Sequence, residues 1–186
     1  SGRRDHVLLL LAVQTGLRLS EMTGLRAADV RLGTGAHVHV LGKGRKERCT
    51  PLAKQTQAVL RSWMSSDLGS EPVILFPSAR GSRLSADGVQ YLVAKHVATA
   101  ARACPSLTRK RVTPHVLRHT TAMELLQAGV DRSVIAMWLG HESLETTQIY
   151  LDADLTLKER VLDKIAPPSV QARRYRPEDK LMAFLS

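Results

Sequence analysis

Between Thr113 and Tyr150 the chain is punctuated so closely that only a succession of short helices fits it. Thr113 has the side chain of an N-cap, and Pro114 suits the first helical position because it lacks the N–H that a helix start leaves unpaired. The helix that follows carries His115 and Arg118 three residues apart, hence on one face, with His119 a further residue on. Val116, Leu117, Leu125 and Leu126 contribute an apolar stripe that can seat it on a core. Gly129 reads as the residue just past its end. Asp131 then caps a second helix holding Val134, Ile135 and Leu139, which Gly140 closes immediately before His141. Ser143 caps a third, ending in Tyr150. Most of the chain's polar chemistry is thus set out at helical spacings in one stretch.

Upstream, residues 3–14 form a near-continuous apolar run with few β-branched interruptions, the pattern of a buried helix. Thr15-Gly16 ends it, and Arg18 follows the turn directly, which holds its guanidinium at the edge of the core; Glu21 stands close enough to pair with it or pack beside it. Alternating residues at 37–41 and a second run at 47–52 enclose Gly42-Lys43-Gly44-Arg45-Lys46, predicting a hairpin with a basic, glycine-bearing tip. His37 and His39 share one face of the first strand. A helical pattern covers 53–66, a short buried run 73–77, and Ser85 caps a helix over 86–103. The basic run Arg109-Lys110-Arg111 then leads to Thr113. Beyond Tyr150 come a helical pattern at 156–165, Pro167-Pro168, an arginine-bearing linker and an amphipathic end too short to be stable alone, whose natural fate is docking.

Chain size and charge narrow the possibilities. The 186 residues suit one domain with a real core, built on aliphatic side chains because aromatic residues make up only 4%. Base stacking is therefore not its main means of recognition. Lys and Arg number 27 against 17 Asp and Glu, a net charge of +10 that favours a polyanion as partner. Cys49 and Cys104 have neither metal-ligand spacing nor the density of a disulfide scaffold, which fits a reducing cytoplasm. The longest apolar run, 7–13, falls far short of the roughly 20 residues of a membrane span.

The elements His115-Val116-Leu117-Arg118, Leu139-Gly140-His141 and Tyr150 nine residues later, preceded by Thr15-Gly16-Leu17-Arg18-Leu19-Ser20-Glu21 and by 42–48, resemble the catalytic domain of the tyrosine recombinases. These are the site-specific integrases and resolvases of phages, transposons and bacterial chromosomes. The resemblance implies a mainly α fold with a small antiparallel β-sheet over 1–165, and a linker and docking helix over 166–186 that inserts into a neighbouring protomer or folds back on its own. The family's separate helical N-terminal domain, with which it clamps DNA, is expected to be absent from this chain. Thr121 stands where relatives often carry an aromatic, a departure that touches packing more than chemistry.

What the resemblance implies chemically is the breaking and rejoining of double-stranded DNA. Tyr150 would attack the scissile phosphate and form a 3′-phosphotyrosyl link. Arg18 and Arg118 would hold the non-bridging oxygens, and Lys43 would protonate the leaving 5′ oxygen, with Arg45 and Lys46 competing for that part. His115 would accept or hold the tyrosine proton, and His141 would contact the phosphate. Arg45, Lys46, Arg109, Lys110 and Arg111 are candidate DNA contacts. No cofactor, metal or ATP enters this scheme, no membrane is involved, and the partners are DNA and, through the C-terminal segment, three further copies in a synaptic tetramer at the nucleoid. Three other readings use the same residues: a type IB topoisomerase that relaxes DNA without exchange, a non-catalytic DNA-binding domain of the same fold, and a zinc hydrolase with His115, His119 and His141 as ligands. The last lacks the glutamate that zincins place directly after their first histidine, where Val116 stands.

Overall fold

The computed structural model describes residues 2–42, 47–66, 74–140 and 161–162. Its architecture is mainly helical with a small antiparallel sheet. Helix α1 (Gly2–Thr15) is followed by the short α2 (Leu19–Gly24), a 3-10 turn at Ala27–Asp29, and strands β1 (Val30–Arg31), β2 (His37–Leu41) and β3 (Glu47–Pro51). Helices α3 (Lys54–Ser66), α4 (Ala86–Ala100), α5 (Pro114–Gln127) and α6 (Arg132–Leu139) complete the described elements, with a 3-10 turn at Pro105–Arg109 before α5.

Helix α1 lies at the centre, packed against both α3 and α5. Its leucines explain this: Leu8 and Leu11 are fully buried, each contributing about 1.5–3 kcal/mol by leaving water. Leu60 of α3, Val89 of α4, and Leu75 and Phe76 from the predicted buried run join the same cluster. Around α5 and α6 a second cluster gathers Ala122, Leu125, Ile135, Trp138 and Leu139, with Val161 from the chain beyond them. Both tryptophans are buried with their N–H satisfied, Trp63 donating to the Leu75 carbonyl at 2.9 Å and Trp138 to the Thr15 carbonyl at 3.2 Å. The second bond ties α6 to the end of α1.

The sheet has the order β1-β2-β3, with Val38 opposite Thr50 and Val40 opposite Arg48 in the predicted hairpin. Its tip, residues 43–46, lies outside the described residues. Val38 and Val40 face the core while His37 and His39 occupy the other face, where His39 meets Glu47 at 3.3 Å.

Within the described residues the predicted punctuation is present; the Ser143 cap, the helix ending in Tyr150, the 156–165 pattern apart from 161–162, and the segment 166–186 lie outside them. The Thr113 hydroxyl accepts from the Val116 N–H, the Asp131 carboxylate from Ser133 N–H, and the Ser85 hydroxyl from Gly88 N–H. At the end of α5 the Gly129 and Val130 N–H groups reach back to Leu126 and Leu125, a Schellman closure. Two expectations need correction. Helix α4 ends at Ala100 instead of 103, because the chain turns there toward the 3-10 segment headed by Pro105. Val116 is 37% exposed and does not belong to the seating stripe; the buried face of α5 is Arg118, Thr121, Ala122 and Leu125. Strand β1 and helix α2 were not visible as separate elements in the sequence. Thr121 fits the crossing of α1 and α5 closely, its hydroxyl donating to the Val13 carbonyl at 2.6 Å.

Candidate active site

Arg118 is an arginine on the inner face of a helix, 9% exposed, so its guanidinium must be held by protein groups. It donates from Nη1 to the Gly16 carbonyl at 2.6 Å and from Nη2 to the Leu139 carbonyl at 2.7 Å. Those carbonyls stand at the C-terminal ends of α1 and α6, where the helix dipole is negative and favours a cation. Arg18 reaches the same place from the turn after α1, donating from Nη2 to the Gly140 carbonyl at 2.7 Å. The two guanidiniums thus sit on adjacent carbonyls at the end of α6.

Two glycines make this convergence possible. Gly16 has φ +63°, and a Cβ there would lie 2.6 Å from Leu139 Cδ2, so only glycine lets the ends of α1 and α6 approach. Gly140 has φ +71°, and its Cβ would lie 2.7 Å from Arg48 Nη1.

The electrostatic balance rests on Glu21. Its carboxylate accepts both terminal nitrogens of Arg48 at 2.7 Å each, the Arg18 backbone N–H at 2.7 Å, and Arg18 Nη1 at 3.3 Å. Burial alone would push this carboxyl up; the hydrogen bonds and charge of Arg48, then those of Arg18, outweigh it and hold the group below the usual glutamate value. Arg118 moves the other way for a base: burial, then repulsion from Arg18 and Arg48, lowers it from the usual arginine range to about 10, so it remains charged at neutral pH. Among the described residues, three guanidiniums against one carboxylate make a net-positive pocket. Each guanidinium has five N–H donors. Arg18 and Arg118 each spend two of them on the bonds above, leaving donors for an anion.

His115 lies exposed in the first turn of α5, and His119 packs edge to face against it with ring centroids 4.1 Å apart. Burial, then the neighbouring His115 and Arg118, lowers the basicity of His119 and keeps it neutral at pH 7. His141, the third ligand of the zinc reading, lies outside the described residues, as do Tyr150, Lys43, Arg45 and Lys46. Among the described residues no group of three His, Cys, Asp or Glu side chains is placed to hold a metal ion. Arg109, Lys110 and Arg111 are exposed in and just after the 3-10 turn that leads into α5.

Sequence reasoning grouped Arg18 with Arg118 and gave Glu21 a supporting part, but assigned nothing to Arg48. Its signal was available: in β3 the inward positions are Arg48 and Thr50, and a charge on the inward side of an alternating strand needs a buried partner.

A helical body with a three-stranded antiparallel sheet, bearing arginines gathered on one helix end, is the catalytic-domain architecture of the tyrosine recombinases. Residues 1–156 match the model of the phage integrase family, and the chain belongs to that family. It is 63% identical over all 186 residues to a Sinorhizobium fredii protein that carries the name integrase/recombinase y4rC, and 37% identical over 179 residues, 96% of this chain, to the tyrosine recombinase XerC of Pelobacter propionicus. It spans 56% of the length of each of those two relatives. Among solved structures, the XerH site-specific recombinase bound to its difH substrate superposes with a TM-score of 0.65 at 25% identity, over 87% of this chain and 42% of that one. The integrase of mycobacterium phage Brujita shares the fold with a TM-score of 0.72 at 22% identity, over 100% of this chain and 58% of that one. Among the described residues no helix is long and apolar enough to cross a membrane.

Proposed function

We propose that the chain is the catalytic part, residues 1–165, of a site-specific DNA recombinase that cuts and rejoins strands through a 3′-phosphotyrosyl intermediate. The observation that carries the reading is the pairing of Arg18 and Arg118 on the carbonyls of Gly140 and Leu139, with donors left over for an anion. A pentavalent phosphorane gathers charge on its non-bridging oxygens, and preorganised guanidiniums are fitted to that charge because their fork matches two oxygens and stays protonated. Membership of the phage integrase family and the DNA-bound state of XerH support DNA as the phosphodiester supplied.

Tyr150 attacks phosphorus through its phenolic oxygen, and the bond to the 5′ oxygen breaks. His115 takes the phenolic proton, Lys43 gives a proton to the departing 5′ oxygen, and His141 adds a contact to the phosphate. Religation reverses these steps with another strand's 5′-hydroxyl. Because the phosphotyrosyl bond keeps the energy of the phosphodiester, the exchange uses no ATP, and because the arginines stabilise the transition state, it uses no divalent metal. Residues 166–186 form the segment through which four copies assemble on DNA, at the nucleoid. Arg109, Lys110 and Arg111 contact the backbone beside the site, and Arg45 and Lys46 do so from the hairpin tip.

The test of this reading is cleavage of a duplex carrying the recombination site in EDTA. Undiminished cleavage that leaves protein joined to the 3′ end supports it. Loss of cleavage restored by zinc would favour the hydrolase instead.

A further inference from the structure

Arg48 is 6% exposed, and no role is yet given to it. We propose that Arg48 is a positioning residue for DNA cleavage: it occupies the Glu21 carboxylate so that Arg18 stays available to the scissile phosphate. The proposal rests on the recombinase reading above and deepens it.

The geometry assigns this division of labour. Glu21 has a 4% exposed side chain and is acceptor only, so its charge must be met by cations on the spot. Arg48 meets it with a parallel fork, two bonds of 2.7 Å. Arg18 donates its backbone N–H to the same carboxylate at 2.7 Å, but its guanidinium touches it only at 3.3 Å and through one nitrogen, and its side chain is 33% exposed against 8% for Arg48. Arg48 is therefore the buried, committed partner and Arg18 the reachable one. Take away the Arg48 charge, and the sole cation left bonded to Glu21 among the described residues is Arg18. In a buried site that attraction would draw the Arg18 guanidinium fully onto the carboxylate and away from the Gly140 carbonyl and the phosphate.

The same arginine also connects the hairpin to the pocket. It stands opposite Val40 in the β2–β3 register, and its guanidinium packs against Gly140. Its Cδ and Cζ would both lie 3.1 Å from a Cβ on that glycine. A methionine at position 48 keeps most of the stem in that contact while removing the charge, so it isolates the electrostatic part of the role.

The charge count makes a distinctive prediction. Among the described residues, Arg18, Arg48 and Arg118 against Glu21 give the pocket three positive charges and one negative. Arg48→Met leaves two against one; adding Glu21→Gln leaves two against none, which restores the net charge and frees Arg18. Single-turnover cleavage of a nicked suicide duplex at saturating DNA is measured for the intact wild-type protein, the Arg48→Met variant and the Arg48→Met/Glu21→Gln double variant, with folding followed by circular dichroism. Cleavage falls about a hundredfold in Arg48→Met, the scale for losing one preorganised donor, and the double variant recovers at least about tenfold of it. Recovery by a second substitution at Glu21 is something a merely structural role does not produce. Wild-type cleavage in the single variant, or no recovery in a folded double variant, overturns the proposal. If Arg48→Met does not fold, the double variant decides alone: cleavage within about tenfold of wild type supports the proposal, and anything slower overturns it. Failure of the wild-type protein itself to cleave would instead strike at the recombinase reading.

Discussion

Arg118→Met separates what the pocket does for the fold from what it does for the reaction. The substitution removes two charge-assisted bonds, to Gly16 O at 2.6 Å and Leu139 O at 2.7 Å. Bonds of this kind contribute about 1.5–3 kcal/mol each, so the loss is about 3–6 kcal/mol. Against it stands the cost of burying the cation beside Arg18 and Arg48: a lowering from the usual arginine range to about 10 corresponds to about 3 kcal/mol. Removing the charge relieves that strain, and the net loss of stability is about 0–3 kcal/mol, a fall in melting temperature of no more than about 12 °C for a chain of this size. Catalysis gets no such relief, since in the proposed reaction the Arg118 donors not spent on those carbonyls would hold the phosphorane, and cleavage should fall by about 10²–10³. Thermal unfolding and single-turnover cleavage on the same preparation read both quantities. A melting temperature lowered by more than about 20 °C, or cleavage within about tenfold of wild type, would refute the reasoning.

Three further outcomes are expected. Gly140→Ala forces a side chain into φ +71° and to 2.7 Å from the Arg48 guanidinium, which its ion pair holds in place; thermal unfolding should show a loss of about 1–3 kcal/mol or more. Glu21 is held below its ordinary value of 4.5, so its stabilising contribution is complete above pH 4.5 and disappears as the pH falls through its lowered value. Glu21→Gln should therefore flatten the dependence of stability on pH below 4.5, and an unchanged acid limb would count against the ion pair. Finally, if roughly six phosphates are contacted, affinity for DNA should drop about 10³-fold between roughly 50 and 200 mM salt in a binding titration, whereas a flat response would mean that the basic face is not the DNA face.

How much of this was legible in the sequence follows from the range of the interactions. The boundaries of α5 and α6 were readable because Thr113, Asp131, Gly129 and Gly140 act on atoms within a few residues of themselves. The β2–β3 hairpin was readable from its alternation for the same reason. Helix α2 was not: it spans six residues and is held partly by Arg83, which donates from 63 residues away to the Ser20 carbonyl. The short strand β1 exists only because β2 pairs with it. In the site, the grouping of Arg18 and Arg118 came from family pattern, whereas the reason they meet, carbonyls at two helix ends, depends on contacts 122 and 102 residues apart. Arg48 went unassigned because its partner Glu21 lies 27 residues away in another element. The same distance effect conceals Asp5, buried in α1 and bonded to His96 of α4 across 91 residues at 3.1 Å. Val116 was misplaced because four apolar residues on a helix do not reveal which arc an arginine will claim.

The proposed role of Tyr150 as the nucleophile can be read in one gel. A suicide duplex, nicked so that the cleaved fragment diffuses away, is incubated with the wild-type protein and with Tyr150→Phe, and the products are resolved under denaturing conditions. The wild-type protein should accumulate a covalent adduct at the 3′ side of the break, and the Phe variant should bind the duplex yet form none. An adduct of undiminished yield with Tyr150→Phe would contradict the assignment.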